Sequence, residues 1–163
     1  MAILSLPEAH RPLGKALLDA TKEVFLVQLN TPVVFANDTN GIQDALAVKA
    51  LLAFNGPVTA GLCTLGFTHK TFCAVYSKLL GETCANVTDE NADSAAELLN
   101  MVFGVFKAKV NQFGHSFSPA LPVVLRGTKM NVDSALGNNP QKIACMSDIG
   151  HFFMEFNLSN KIG

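Results

Sequence analysis

Hydrophobic residues recur at helical spacing in three stretches of this chain. From about residue 8 to residue 29 they fall three or four positions apart, which predicts an amphipathic helix that ends before Pro32. Residues 68–81 predict a second helix, because a threonine suited to capping opens the stretch and a glycine suited to ending a helix closes it. Residues 88–110 contain no proline and are strongly two-faced, so they predict a third, longer helix.

Other apolar runs have the length of β-strands. Residues 45–54 and 58–67 are joined by an Asn-Gly-Pro turn, which predicts two neighbouring antiparallel strands. Shorter strands are predicted at 33–35, 122–125, 143–146 and 151–158. Residues 38–41 have the composition of a turn, and 128–141 can be a loop or a hairpin connection. The pattern predicts an α+β fold, with long helices packed on a mainly antiparallel sheet, in a single domain over residues 1–163.

The third predicted helix carries one polar stripe. Its members lie three or four positions apart and share one face: Asp93, Glu97, Asn100 and Gly104. Apolar side chains occupy the opposite face, as expected when that face packs against a core. A carboxylate beside a carboxamide on an outward stripe is suited to positioning a water molecule. The stripe can also be an ordinary solvated face, because the motif E-x-x-N alone is common by chance.

The sequence around this stripe resembles the CheC/CheX/FliY family of chemotaxis phosphatases. The similarity rests on Glu97-x-x-Asn100-Met101, with Asp93 before it and Pro122 after it, and it extends over most of the chain. The family's E-x-x-N motif occurs here once, as is typical of the CheX type, whereas the CheC type carries it twice. The resemblance implies a CheC/CheX-like fold and hydrolysis of the aspartyl phosphate on a CheY-type response-regulator receiver.

The resemblance also implies roles for individual residues. Asn100 would position the attacking water, since a carboxamide can accept a hydrogen bond from water and donate one to a phosphoryl oxygen without adding charge. Glu97 would dock the partner by pairing with a receiver lysine. Asp93 would extend that contact or favour the helix N-terminus, and Met101 would form an apolar rim or fill the core margin. Gly104, which costs ~1 kcal/mol relative to Ala inside a helix, would allow the partner to approach closely.

The expected cofactors and partners follow from the same resemblance. The phosphorylated receiver would bring its own Mg²⁺, and no cofactor or metal is expected on this chain, whose histidines never stand at a metal-ligand spacing. The family habit of dimerising implies a homodimer. Charged residues make up only 15% of the sequence, against about 25% in average proteins, which also favours a covered interface.

Composition limits the other function classes. With 163 residues and 49% hydrophobic content, the chain is long and apolar enough for one folded domain. The net charge of -1 and the absence of Lys/Arg runs argue against nucleic-acid binding. No apolar run approaches the ~20 residues of a transmembrane helix, and the N-terminus lacks a signal-peptide core, so a cytoplasmic protein without membrane insertion is expected.

The cysteines and histidines show no pattern of their own. Cys63, Cys73, Cys84 and Cys145 are scattered without a C-x-x-C pair. Two disulfides would suit a secreted protein, but nothing in the sequence indicates secretion, so free thiols are expected. The histidines are expected at the surface or in loops.

Two other functions fit the same pattern. The domain can be a binding module that recognises a receiver without hydrolysing its phosphate, or a relative of flagellar switch proteins that has no activity of its own. A nucleophilic enzyme fits less well, because the sequence contains no G-x-S-x-G elbow and no P-loop.

Overall fold

Three α-helices lie against one face of a seven-stranded antiparallel sheet in the part of the chain that the structure describes. The structure is a computed structural model that describes residues 2–36, 45–127, 136–137 and 140–161. It confirms the α+β fold with a mainly antiparallel sheet. The predicted turn at 38–41 and most of the connection at 128–141 lie outside the described residues.

The helices begin and end close to the predicted positions. They are α1 (Arg11–Leu29), α2 (His69–Leu80) and α3 (Asp89–Asn111), preceded by 3₁₀ turns at Ala2–Ser5 and Glu8–His10. The first helix therefore begins at Arg11, because the residues near position 8 form a 3₁₀ turn. Thr68 caps α2 by accepting a hydrogen bond from Thr71 N at 3.3 Å. Gly81 ends α2 in the left-handed region, with a φ of 71°.

The sheet is built from two hairpins with short strands at its edges. Its strands are β1 (Val34–Phe35), β2 (Leu46–Asn55), β3 (Thr59–Thr68), β4 (Ser118–Pro119), β5 (Val123–Arg126), β6 (Gln141–Ser147) and β7 (Gly150–Asn160). The order across the sheet is β1-β6-β7-β3-β2-β4, and β5 also pairs with β2. The predicted β2–β3 hairpin is confirmed, with Leu52 opposite Cys63. The strand that the sequence predicts at Pro122 is β5, which begins one residue later.

Phenylalanines join the helices to the sheet. Phe25 of α1 stacks on Phe152 of β7, with ring centroids 4.4 Å apart. Phe54 of β2 contacts Phe103 and Phe106 of α3, with centroids 5.4 Å and 5.6 Å apart. Burial of one such side chain stabilises the fold by about 1.5–3 kcal/mol, so these contacts hold α3 firmly against the sheet.

A buried ion pair lies on the sheet face that points away from the helices. Lys49 of β2 donates a hydrogen bond to Glu155 of β7 at 2.7 Å, and only 6% and 8% of the two side chains is exposed. The strand between them carries Gly66 opposite Lys49. A Cβ on Gly66 would lie 2.8 Å from Leu46 Cδ1, so the glycine leaves space for this leucine, whereas the lysine Cε at 3.4 Å would be in ordinary contact. No local sequence pattern predicts this pair.

Two predictions about single residues are wrong. Cys73 and Cys84 form a disulfide, with Cα atoms 5.0 Å apart, whereas Cys63 and Cys145 are free and buried as predicted. The pair forms because the turn after α2 returns the chain beside that helix. His10 is buried rather than exposed, and its Nε2 lies 2.9 Å from the Oδ1 of Asn160.

Candidate functional site

The polar stripe of α3 faces solvent along its whole length. Its exposed members are Asp93, Glu97, Asn100 and Gly104. Leu98, Leu99 and Val102, which lie between them in sequence, are buried in the core. Glu97 and Asn100 are nearly one helical turn apart, which corresponds to a rise of about 4.5 Å along the axis. The two side chains therefore present a carboxylate and a carboxamide to the same approaching molecule.

The N-terminus of α3 is fixed by a capping box. The Thr88 N–H donates to Asn91 Oδ1 at 2.8 Å, and the Asn91 N–H donates to Thr88 Oγ1 at 3.1 Å. Asn91 Nδ2 also donates to the carbonyl oxygen of Asn86 at 2.7 Å. These bonds satisfy N–H groups that a helix start would otherwise leave open, and they tie the preceding segment to the helix.

Other elements restrain α3 near both ends. Arg126, at the end of β5, pairs with Asp89 and donates to the Val87 carbonyl oxygen at 2.9 Å. Lys109, near the C-terminus, forms an ion pair of 2.8 Å with Glu23 of α1. A basic side chain at this end of a helix also interacts favourably with the helix dipole. The stripe is thus carried by a helix whose position is set on three sides, by α1, β2 and β5.

A cleft of about 550 Å³ lies beside the stripe, between α2 and α3. Carboxylates from α3 and from the segment that connects it to α2 line the cleft: Glu82, Glu90, Asp93 and Glu97. Tyr76 donates a hydrogen bond to Glu82 at 2.8 Å, and this bond raises the pKa of the tyrosine. A concave surface with several like charges attracts the opposite charge, so the cleft is suited to a basic group on a partner.

The side chains of Glu97 and Asn100 are not used by the fold. Among the described residues, neither has a hydrogen-bond or ion-pair partner, and the same holds for Asp93. No group of three or more His, Cys, Asp or Glu side chains in the described ranges could hold a metal ion. The absence of a cofactor on this chain stays a prediction.

Met101 and Gly104 lie at the margins of the stripe. Met101 is half-buried, packs against the core and also lines the cleft, so both predicted roles are compatible with its position. Phe103 belongs to the core. A Cβ built on Gly104 would meet no atom within 4 Å. No contact within the described residues therefore requires a glycine at this position.

Pro122 lies at the entry of a strand that packs beside α3. It directly precedes β5, which pairs with β2 and contacts α3. Because β5 is an edge strand, a proline without an N–H is tolerated at its entry. Leu121, its neighbour, is 90% exposed.

Several residues of the site were not singled out from the sequence. Asn91 and Arg126 fix the start of α3, and Tyr76 and Glu82 form the far wall of the cleft. The pattern Thr-x-x-Asn at residues 88–91 is a variant of the capping box and was a usable signal. The cleft wall depends on how α2 packs against α3, for which the sequence gives no local sign.

Residues 48–146, more than half of the chain, match the family model described as chemotaxis phosphatase CheX. The chain belongs to this family. Its resemblance to the CheX family, inferred from residues 93–122, is thereby confirmed. No curated protein sequence matches the chain. None of the described helices combines the length and the apolar composition that a membrane-spanning helix needs.

Solved structures of the CheX family and its relatives share the fold. The chemotaxis protein CheX from Vibrio vulnificus is 20% identical, with a TM-score of 0.80 over 90% of this chain and 96% of that chain. A chain of the CheX-CheY-BeF₃-Mg²⁺ complex from Borrelia burgdorferi is 19% identical, with a TM-score of 0.67 over 92% and 98%. FliY from Thermotoga maritima is 11% identical, with a TM-score of 0.64 over 92% and 90%. At these identities the similarity shows a common fold.

Proposed function

We propose that this member of the CheX family hydrolyses the aspartyl phosphate of a CheY-type receiver, with Asn100 positioning the attacking water and Glu97 docking the receiver. The observation that carries the proposal is that both side chains are exposed on a firmly held helix and have no partner among the described residues. A relative in this family has been solved in complex with CheY. That relative supports the choice of partner.

Hydrolysis of an aspartyl phosphate requires few catalytic groups. An acyl phosphate is already activated, so the remaining requirement is a water molecule held in line with phosphorus. The Asn100 amide oxygen can accept a hydrogen bond from that water while its NH₂ group donates to a phosphoryl oxygen. A carboxylate at this position would repel the anionic phosphate, which is why the carboxamide takes this role and Glu97 does not.

Glu97 instead acts through its charge. A lysine beside the receiver's phosphorylation site would pair with it, and Asp93 at the cleft margin would extend the contact. Met101 would border the contact with an apolar surface, and Gly104 would let the receiver backbone approach α3 closely. The receiver supplies Mg²⁺, so this chain needs no cofactor.

Two further properties belong to the proposal. We expect the protein to act in the cytoplasm, where receivers are phosphorylated. We also expect a homodimer with one active stripe in each protomer. Exposed apolar side chains on α1 and β1, namely Leu26, Val27 and Val34, are suited to a covered surface.

The direct test is the decay of phosphate on a Mg²⁺-loaded CheY-type receiver from the same cell, with the protein present at substoichiometric concentration. We expect faster decay and release of inorganic phosphate over many turnovers. Binding to the receiver carrying BeF₃⁻, a mimic of the phosphoryl group, should be measured in parallel. Binding without faster decay for every receiver tested would overturn catalysis and favour a receiver-binding module. Neither binding nor decay, with stable incorporation into a flagellar switch complex, would favour the switch-like alternative.

A further inference from the structure

The disulfide between Cys73 and Cys84 joins α2 to the segment that leads into α3. Cys73 lies in the middle of α2, and Cys84 lies in residues 81–88, between Gly81 and the capping residue Thr88. Both cysteines are half-buried. The bond therefore links two positions that are 11 residues apart. The second of them, Cys84, lies shortly before α3, the helix that carries Glu97 and Asn100.

The bonded sulfur also contacts the capping box. Asn91 Nδ2 lies 3.8 Å from the Sγ of Cys84 and 2.7 Å from the Asn86 carbonyl oxygen. Asn91 is the residue that exchanges hydrogen bonds with Thr88 at the start of α3. A change at Cys84 thus reaches the residue that fixes this end of the helix without an intervening side chain.

The remaining two cysteines are unreactive in the folded protein. Cys63 and Cys145 are fully buried, and burial raises the pKa of each thiol to about 12, so both stay protonated and inaccessible. The sequence has 4 cysteines in all. Thiol chemistry on the folded protein is therefore confined to the pair Cys73 and Cys84.

A cleft gives a reagent access to Cys84. Its volume is about 390 Å³, and Cys84 is among its lining residues. Four other lining residues, Tyr76, Glu82, Glu90 and Asn91, also line the cleft beside Glu97. The two clefts are therefore neighbours, and a movement of residues 81–88 changes the walls of both.

We propose that Cys73 and Cys84 are a reversible redox modification site, opened by a dithiol reductant, whose state sets the order of residues 81–88 and of the first turn of α3. Its effect on receiver dephosphorylation rests on the proposed function. In compartments that keep thiols reduced, protein disulfides are usually transient or redox-sensing, which agrees with this role.

The exchange follows ordinary thiol–disulfide chemistry. A thiolate of the reductant attacks one sulfur of the pair, the Cys73–Cys84 bond breaks, and a mixed disulfide forms. The second thiol of the reductant then attacks the mixed disulfide, and the reductant leaves as its own disulfide. Two electrons and two protons pass to the cysteines, which become thiols. The Asn86 carbonyl oxygen, 3.6 Å from the Cys84 sulfur, is available to accept a hydrogen bond from the new thiol.

The first test needs no receiver. The purified chain is treated with oxidised glutathione or with a dithiol reductant, alkylated without unfolding, and mapped by mass spectrometry. We expect two alkylated cysteines after reduction, at 73 and 84, and none after oxidation. Amide hydrogen exchange over residues 81–92 should be on the order of tenfold faster in the reduced protein, whereas residues 46–55 of β2 should not change. Absence of the Cys73–Cys84 bond after oxidation, or equal exchange in the two states, would overturn the proposal.

The second test separates this site from the phosphatase assignment. Receiver dephosphorylation should be on the order of threefold slower with the reduced protein, because Glu82, Glu90 and Asn91, which line the cleft beside Glu97, are held less firmly. The variant Cys73→Ser/Cys84→Ser should behave like the reduced wild-type protein in both buffers. Equal rates in the two states of an active wild-type protein would overturn the regulatory effect. No dephosphorylation in either state would contradict the proposed function, while alkylation and hydrogen exchange would still decide the redox site.

Discussion

Glu155 and Glu97 are two carboxylates in opposite settings. Glu155 is buried on the sheet and receives a hydrogen bond from Lys49 at 2.7 Å. Glu97 is exposed on α3 and has no hydrogen-bond or ion-pair partner among the described residues. The charge of Glu155 is satisfied inside the fold, so its removal concerns stability. The charge of Glu97 is available to another molecule, so its removal concerns recognition.

The comparison extends to the neighbours of each residue. Gly66, opposite Lys49, leaves space for the Leu46 side chain, whereas Gly104 leaves space that no described atom fills. The first glycine is explained by its own fold, and we propose that the second lets a partner approach closely. The polar stripe and the single glycine of α3 are therefore the features to which we assign function.

The largest stability effect should come from breaking the buried pair. We predict that Glu155→Ala lowers the free energy of unfolding by about 3–5 kcal/mol, because it leaves the Lys49 ammonium buried without a partner. Urea unfolding measures this change. The double variant Lys49→Met/Glu155→Leu is the matched control. It should lose much less stability, because neither charge is left buried without a partner. A loss below about 1 kcal/mol for Glu155→Ala would show that the pair is not sealed from water.

Glu97→Ala should change recognition instead. We predict that the free energy of unfolding stays within about 0.5 kcal/mol of the wild-type value, because the side chain is exposed. The KM for the phosphorylated receiver should rise about tenfold with a smaller change in kcat, and the difference from wild type should shrink at high salt. Glu8→Gln removes another exposed carboxylate at a distant turn and should leave both parameters unchanged. A fall in kcat at unchanged KM would give Glu97 a catalytic role in place of docking.

Loss of the capping box should affect stability and order at one end of α3. We predict that Asn91→Ala costs about 1 kcal/mol, because the Thr88 N–H and the Asn86 carbonyl oxygen lose their bonds. Hydrogen exchange should increase in the first turn of α3 more than in its middle, where Phe103 and Phe106 contact Phe54. Equal loosening along the entire helix would mean that the cap, and not the core, holds Asn100 in place.

The smallest effect is expected at Gly104, where one substitution should change stability and receiver binding in opposite directions. Gly104→Ala should stabilise the fold by about 0.5–1 kcal/mol, since alanine favours the helix and a Cβ meets no atom within 4 Å. Receiver binding should weaken in the same variant, because the added methyl group stands where the partner approaches. Calorimetry and a binding titration measure the two changes. Tighter or unchanged binding would remove Gly104 from the contact surface.

Much of the fold and the stripe was predictable because local periodicity determines them. The alternation of polar and apolar residues in α3 specifies which side chains face solvent, and the exposure of Asp93, Glu97 and Asn100 follows. The β2–β3 hairpin was likewise predictable from two apolar runs around a short turn. Thr68 and Gly81 mark the ends of α2 by their own backbone chemistry.

What could not be predicted depends on residues far apart in the chain. Lys49 and Glu155 are 106 positions apart and meet only once β2, β3 and β7 are aligned. Cys73 and Cys84 have no motif spacing, and their contact depends on the path of the chain after Gly81. The cleft beside Glu97 requires the packing of α2 against α3. Local patterns carry no information on any of these arrangements.

We assign to the Asn100 side chain the positioning of the attacking water. The most direct measurement compares phosphate decay on a Mg²⁺-loaded receiver with the wild-type protein, Asn100→Ala and Asn111→Ala. Asn111→Ala removes the same group from an exposed position about 16 Å further along α3. We predict a loss of about 100-fold for Asn100→Ala, with unchanged urea unfolding and unchanged binding of the BeF₃⁻ form, and wild-type activity for Asn111→Ala. Wild-type decay rates with Asn100→Ala would contradict this role for the side chain.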